Sequence, residues 1–224
     1  MLRAVSSNKR ALAIVVAVLV LGAAGWWGYG EYRQREGSLA IAAAVQDTTA
    51  RLRDSLAVAP SLASKSALPR LEAHAAAVDA HLKIIRDASR VPALADGAEH
   101  YVLGAREILR RQAASIRQSE QAAASRAFLV RHMRRAARRD GAWIREAMLQ
   151  KKIVEAHYFD YNLTLTALAD LLKDFPGTTQ RLAPHLDERS LLPRAPADEA
   201  RGLVLKESRR AADELAAVRR LAPR

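Results

Sequence analysis

Residues 142–175 read AWIREAMLQKKIVEAHYFDYNLTLTALADLLKDF, a stretch without proline or glycine in which one position recurs every seven residues. The residues at that position are Ile144, Lys151, Tyr158, Leu165 and Leu172. The position three residues after it holds Val154, Tyr161, Leu168 and Phe175. An apolar stripe at this spacing is typical of an amphipathic α-helix that buries one face. We therefore predict a long helix here, with the stripe in the core of the protein.

The same repeat extends toward the N-terminus through Val102, Leu109, Ile116, Ala123, Val130 and Ala137. Asp140-Gly141 is the only turn signal within it, so the pattern fits a hairpin of helices 93–139 and 142–174, or one helix of about 80 residues. We favour the hairpin because such long helices are uncommon in globular proteins. Residues 112–125, QAASIRQSEQAAAS, are small and polar, and we expect them either to pack closely or to be poorly covered.

The remaining segments also show helical patterns, separated by proline. A helix from residue 31 to about 59 and a second from 68 to about 89 flank a connector between Pro60 and Pro69. We assign 31–175 to a helical bundle, 176–196 to a proline-rich connector and 197–224 to a C-terminal amphipathic helix. The predicted fold class is all-α: an N-terminal transmembrane helix followed by an elongated antiparallel helical bundle or coiled-coil-like body.

Residues 11–30, ALAIVVAVLVLGAAGWWGYG, carry no charge and are long enough to cross a bilayer core of about 30 Å. Trp26, Trp27 and Tyr29 fall at one end, where aromatic rings favour the membrane interface. A small excess of basic groups on the N-terminal flank predicts residues 1–10 in the cytoplasm and the body in the periplasm. The alternative is a cleaved signal peptide, because the apolar run ends in small residues at 22–25.

Composition excludes several functional classes. The chain has no cysteine, so it contains no disulfide, thiol nucleophile or cysteine-ligated metal. No nucleophile, phosphate-binding or dinucleotide motif occurs, and His74 and His81 are seven residues apart, too far to share a metal ion by themselves. We therefore expect a protein without enzymatic activity, cofactor or metal. Abundant alanine and arginine suggest a GC-rich bacterial genome, and hence the bacterial inner membrane.

The strongest functional signal is the run RAFLVRHMRRAARR, residues 126–139, within a chain of net charge +12. Arg131, Arg134, Arg135 and Arg138 share one helical face, opposite an apolar face. A basic amphipathic helix of this kind binds anionic lipid or an acidic partner. We expect no nucleic-acid binding, because no base-reading motif is present.

A second candidate is the sequence EAHYFDYN, residues 155–162, whose composition is unusual in this chain. Tyr158, Asp160, Tyr161 and Asn162 are candidates for lining a small polar pocket inside a bundle, although both tyrosines also fit the buried stripe. The first functional hypothesis is a membrane-anchored extracytoplasmic interaction protein: a scaffold, assembly factor or accessory subunit with a protein partner or a second copy. The alternative is a bundle that binds or senses a small ligand.

Overall fold

The structure is a computed structural model that describes residues 2–57, 65–88, 91–135 and 141–221, with side chains described from Trp26 onward. Its described part is entirely helical and contains no strand, which confirms the all-α fold class. The five helices are α1 (Leu2–Ala57), α2 (Leu68–Asp87), α3 (Pro92–Arg135), α4 (Gly141–Leu182) and α5 (Arg194–Arg220).

Helices α3 and α4 form an antiparallel hairpin, and not one continuous helix. Gly97 near the start of α3 lies beside Leu182 at the end of α4, and Gly104 lies beside Phe175. Further along, Gln121 and Ser125 of α3 both hydrogen bond to His157 in the first half of α4. The hairpin is more stable than a single helix because its two apolar stripes bury each other, whereas a single helix would leave both stripes exposed to water. Asp140 lies outside the described residues.

The predicted stripe of α4 is the centre of the core. Leu165, Leu168 and Leu172 are fully buried, and Val154 and Phe175 are buried beside them. α2 also buries an apolar stripe, from Leu71 to Ile85. The seven-residue repeat identified the inward face of α4 from Val154 onward, whereas its first two positions, Ile144 and Lys151, are only half-buried.

Helices α1 and α2 cover one half of the hairpin. α1 runs antiparallel to α2, since Asp47 pairs with His81 and Asp54 with His74. α2 in turn runs antiparallel to α3, to which it is joined by ion pairs at its exposed edge: Arg86–Glu99, Asp79–Arg106, Asp79–Arg110 and Glu72–Arg117. Glu72 lies one turn after the start of α2 at Leu68, so α2 reaches about one turn past the level of Arg117.

The expected boundary at Pro176 is not where α4 ends. The helix continues through Pro176 and Gly177 to Leu182. A proline inside a helix loses one backbone hydrogen bond and costs about 3 kcal/mol. Phe175 and Leu182 on either side are buried against α3, and their burial offsets that cost.

The C-terminal helix also begins earlier than residue 197. α5 starts at Arg194, so Pro196 lies in its first turn. Backbone N–H groups in the first turn of a helix have no partner within the helix, so proline loses no hydrogen bond there. Val204, Ala211, Leu215 and Val218 are buried, as their spacing predicted. α5 packs antiparallel against α4: Glu207 accepts a hydrogen bond from Tyr161, and Lys151 donates to the carbonyl of Arg219.

Helix α1 is continuous from Leu2 to Ala57, as the absence of proline before Pro60 indicated. Residues 26–36 are exposed, and α1 enters the core only from Ile41 onward. Among the residues that the structure describes, no helix combines the length and the apolar character that a membrane span requires. Most of the expected anchor at 11–30 lies outside the described side chains, so the anchor remains a prediction.

We predict that Leu168→Ala lowers the stability of the protein by roughly 2–5 kcal/mol, because it leaves a cavity at a fully buried site. Thermal unfolding followed by circular dichroism at 222 nm is expected to show a melting temperature lower by many degrees. Leu39→Ala is the matched control, since Leu39 is largely exposed on α1. Equal melting temperatures for the two variants would contradict the core position of Leu168.

Candidate functional site

A cleft of about 710 Å³ opens between α3 and α5, with α4 as its floor. Most of it lies beyond the start of α2, which reaches about one turn past the level of Arg117. The hairpin and α5 therefore continue as three helices past the part of the bundle that α1 and α2 cover. The cleft follows from this difference in helix length.

Small side chains on α3 keep the cleft open. The residues that α3 contributes to the wall are Ser119, Ala123, Arg126, Ala127, Val130 and Arg131. Ser119, Ala123 and Ala127 are spaced four apart, so they lie on one face and leave the space in front of them unfilled. Each of the two alternatives expected for 112–125 holds for a part of it: Gln112 and Ser115 are buried in the core, whereas most of its second half is exposed or half-buried.

Tyr158 and Tyr161 of α4 form the polar part of the floor. The Tyr161 hydroxyl donates a hydrogen bond to Glu207 of α5 at 3.1 Å. Burial raises the pKa of Tyr161, and a hydrogen bond from Ser119 opposes that rise only in part. Burial raises the pKa of Tyr158 as well, against the nearby Arg126 guanidinium, which lowers it. Both phenols therefore stay neutral and remain hydrogen-bond donors at ordinary pH.

The rim of the cleft carries an excess of positive charge. Arg126, Arg131 and Arg210 face two carboxylates, Glu207 and Glu214. Arg126 pairs with Glu214, and Arg210 lies 3.9 Å from Glu207. Within the described part of the chain, Arg131 forms no ion pair. Among the described residues, the Arg131 guanidinium at the rim is thus left without an acidic partner.

Two of the four residues predicted for a pocket lie in the cleft. Tyr158 and Tyr161 line it, whereas Asp160 is exposed on the outer side of α4 and Asn162 accepts a hydrogen bond from Ser208 of α5. Sequence reasoning missed Arg126 as a pocket residue and all the groups that α5 supplies. Those groups approach the tyrosines only through the packing of two helices, and no local pattern encodes that.

The predicted arginine face is described in part. Arg131 and Arg134 are exposed, opposite the buried Leu129, which agrees with the expected two-faced helix. The side chain of Arg135 and all of Arg138 lie outside the described residues. Arginines earlier in α3 are paired with acidic residues of α2 or of α3 itself, such as Arg117 with Glu72 and Arg111 with Glu107.

Helix α4 presents a second apolar stripe on its outer side, which the seven-residue repeat did not reveal. Leu149, Phe159 and Leu163 are 58%, 59% and 60% exposed, and Ile153 and Ala156 between them are also exposed. Steps of three and four residues place all five on one face of the helix. The stripe is continuous over four turns and is covered by no described residue.

The described histidines serve structural contacts. His81 bonds to Thr48 and Asp47, and burial lowers its pKa although Asp47 opposes this. No group of three histidine, aspartate or glutamate side chains comes together in a metal-binding arrangement among the described residues.

Comparison with known proteins finds no family model, no curated protein and no solved structure that matches this chain. The features of the molecule that bear on its function are therefore the cleft, the arginine face and the outer stripe of α4.

We predict that Tyr161→Phe weakens the loss of stability at alkaline pH. Because burial raises the folded-state pKa of Tyr161, this residue makes its full contribution to stability below the ordinary tyrosine pKa of about 10. That contribution is lost as the pH rises from there through the folded-state pKa. The unfolding free energy of the unmodified chain is thus expected to fall by up to about 1.4 kcal/mol for each pH unit above 10 from this group.

Denaturant unfolding at pH 8 and pH 10.8 measures the effect. Tyr32→Phe is the control, because Tyr32 is exposed on α1. A Tyr161→Phe variant as sensitive to high pH as the Tyr32→Phe variant would show that the floor of the cleft is not desolvated.

Proposed function

We propose that this chain is a membrane-anchored helical interaction protein, acting by contact with another protein as a scaffold, assembly factor or accessory subunit. The observation that carries this proposal is the exposed outer stripe of α4. Monomeric soluble proteins seldom leave large apolar side chains adjacent to one another in water, and such patches mark contact surfaces. Burying the part of Leu149, Phe159 and Leu163 that is still exposed would contribute roughly 1–2 kcal/mol for each side chain before the costs of association.

A second copy of this chain is the alternative partner, and the proposed anchor limits how it could bind. Copies anchored in one membrane share the same orientation, so a symmetric pair through α4 would have parallel helices. An antiparallel pair would place the two α1 helices at opposite ends.

Residues 11–30 are the proposed anchor. Their uncharged sequence supports this, as does the exposure of Trp26, Trp27 and Tyr29 on a part of α1 that no other described helix covers. Because α1 continues without a break into the bundle, the anchor and the body would be joined by a stiff helix. The proposed location is the inner membrane of a bacterium, with the body in the periplasm.

The arginine face fits an acidic partner better than the anchoring membrane. Gly37 of α1 lies beside Ala88, so α1 enters the bundle at the end where α2 stops and α3 begins. From Gly97 to Arg134, α3 rises about 55 Å away from that end. Attraction between an arginine and lipid charge is screened within about 10 Å, which is far too short to span this distance.

We predict that a photoreactive amino acid at Leu163 or at Leu149 crosslinks to a protein of another mass in intact membranes. The stripe lies at the centre of the proposed contact, so both positions are expected to give the same adduct. Ala124 on α3 is the control position, since it is exposed but lies outside the stripe and the cleft. Leu163→Glu should reduce the adduct formed at position 149 at least tenfold.

The mass of the adduct decides the outcome. An adduct with twice the mass of the chain would assign the stripe to self-association and overturn the choice of a different partner. Absence of any adduct at both stripe positions, with a stable and membrane-bound chain, would contradict the interaction function itself.

We predict that a reporter enzyme active only in the periplasm is active when fused after Arg224, and that the fusion sediments with membranes. The reason is the charge distribution around residues 11–30. A reporter active only in the cytoplasm is the matched test and should give no signal. Signal from the cytoplasmic reporter would reject this orientation, and a soluble chain shortened to start near Trp26 would show a cleaved signal peptide.

A further inference from the structure

We infer that the cleft between α3, α4 and α5 binds a small amphipathic anion, with an apolar body along the cleft and a single acidic head group at Arg131. This site is separate from the outer stripe of α4 and does not depend on the proposed contact function. The cleft volume of about 710 Å³ lies within the range of about 300–1,000 Å³ that is usual for small-molecule sites.

The apolar body of the ligand fits the walls. Ala123 and Ala127 of α3 are exposed in the cleft, and the buried Ala211 of α5 lies in its opposite wall. None of these side chains is long enough to fill the space, so apolar surface remains in contact with water. A hydrocarbon or aromatic body would displace that water and bury the alanine methyl groups, which is favourable in proportion to the area covered.

The acidic head group fits the charges that remain after the internal pairs are formed. Glu207 accepts a hydrogen bond from Tyr161, and Glu214 is paired with Arg126, so both carboxylates have partners within the fold. Arg131 forms no ion pair among the described residues and is exposed at the rim. A guanidinium binds a carboxylate or phosphate group through two parallel hydrogen bonds.

The same charges exclude other classes of small molecule. A cationic amphiphile would meet three arginines and only two carboxylates, both already paired. A neutral amphiphile would gain the apolar contact but would leave Arg131 without a counter-ion. The neutral hydroxyl of Tyr158 adds a donor for an oxygen atom of the ligand, whereas the Tyr161 hydroxyl already donates its proton to Glu207.

The test uses the full chain in nanodiscs of zwitterionic lipid and three probes of one shape: 8-phenyloctanoate, 8-phenyloctanol and 8-phenyloctylamine. Binding is measured by isothermal titration calorimetry, with empty nanodiscs subtracted. We expect saturable binding of the carboxylate, at least tenfold tighter than that of the alcohol, and no measurable binding of the amine.

Two pairs of matched variants locate the site. Ala127→Trp fills the cleft and should abolish binding, whereas Ala124→Trp on the uncovered side of α3 should leave it unchanged. Arg131→Gln should reduce the affinity for the carboxylate to that for the alcohol, whereas Lys83→Gln, at an exposed cation on α2 outside the cleft, should leave it unchanged. Circular dichroism verifies that each variant keeps its helices.

Three results would overturn the inference. The first is no saturable binding of the carboxylate. The second is equal loss of binding in both tryptophan variants, which would place the ligand elsewhere. The third is equal affinity for the carboxylate and the amine, which would show that Arg131 does not select the head group. None of these results bears on crosslinking from the outer stripe of α4, so the two proposals fail independently.

Discussion

The close approach of α3 and α4 at one end of the hairpin is the constraint on which the other helices depend. An added Cβ at Gly104 would lie 3.1 Å from the ring of Phe175, so glycine is what lets that ring reach Tyr101, with ring centroids 4.9 Å apart. The buried Tyr101 hydroxyl then bonds to Thr49 of α1 at 2.7 Å and accepts from the backbone N–H of Leu192. One packed ring pair thereby fixes α1 and the approach to α5 on the hairpin.

The cleft and the outer stripe follow from how the other helices pack on this hairpin. α1 and α2 pack on its α3 side, and α2 reaches only about one turn past the level of Arg117. Beyond that level α4 has α3 on one side and α5 on the other, and nothing described covers its outer face. The cleft thus lies where α3, α4 and α5 continue as three helices, whereas the outer stripe is exposed because α4 has substantial contacts only with α3 and α5 among the described helices.

The sequence predicted the inward faces well and the functional surfaces poorly, for a physical reason. A seven-residue repeat reports which face of a helix is most apolar, so it found Leu165, Leu168 and Leu172 in α4. It says nothing about a second apolar face on the same helix, so Leu163 was missed. It also cannot show which helices become neighbours, so the sequence pattern did not predict that carboxylates of α5 lie beside Tyr161. The break expected at Pro176 failed because tertiary burial outweighs the local cost of proline.

The distribution of charge connects the cleft with the arginine face. Along the first part of α3, acidic residues of α2 neutralise the arginines, as Asp79 does for Arg106 and Arg110. That neutralisation stops where α2 stops, so the net charge of +12 is least compensated toward the far end of α3, at Arg131 and Arg134. A local excess of positive charge raises the concentration of anions near it and speeds their arrival. Because salt screens this field within about 10 Å, its effect is confined to the mouth of the cleft, where the head group of an acidic ligand would enter.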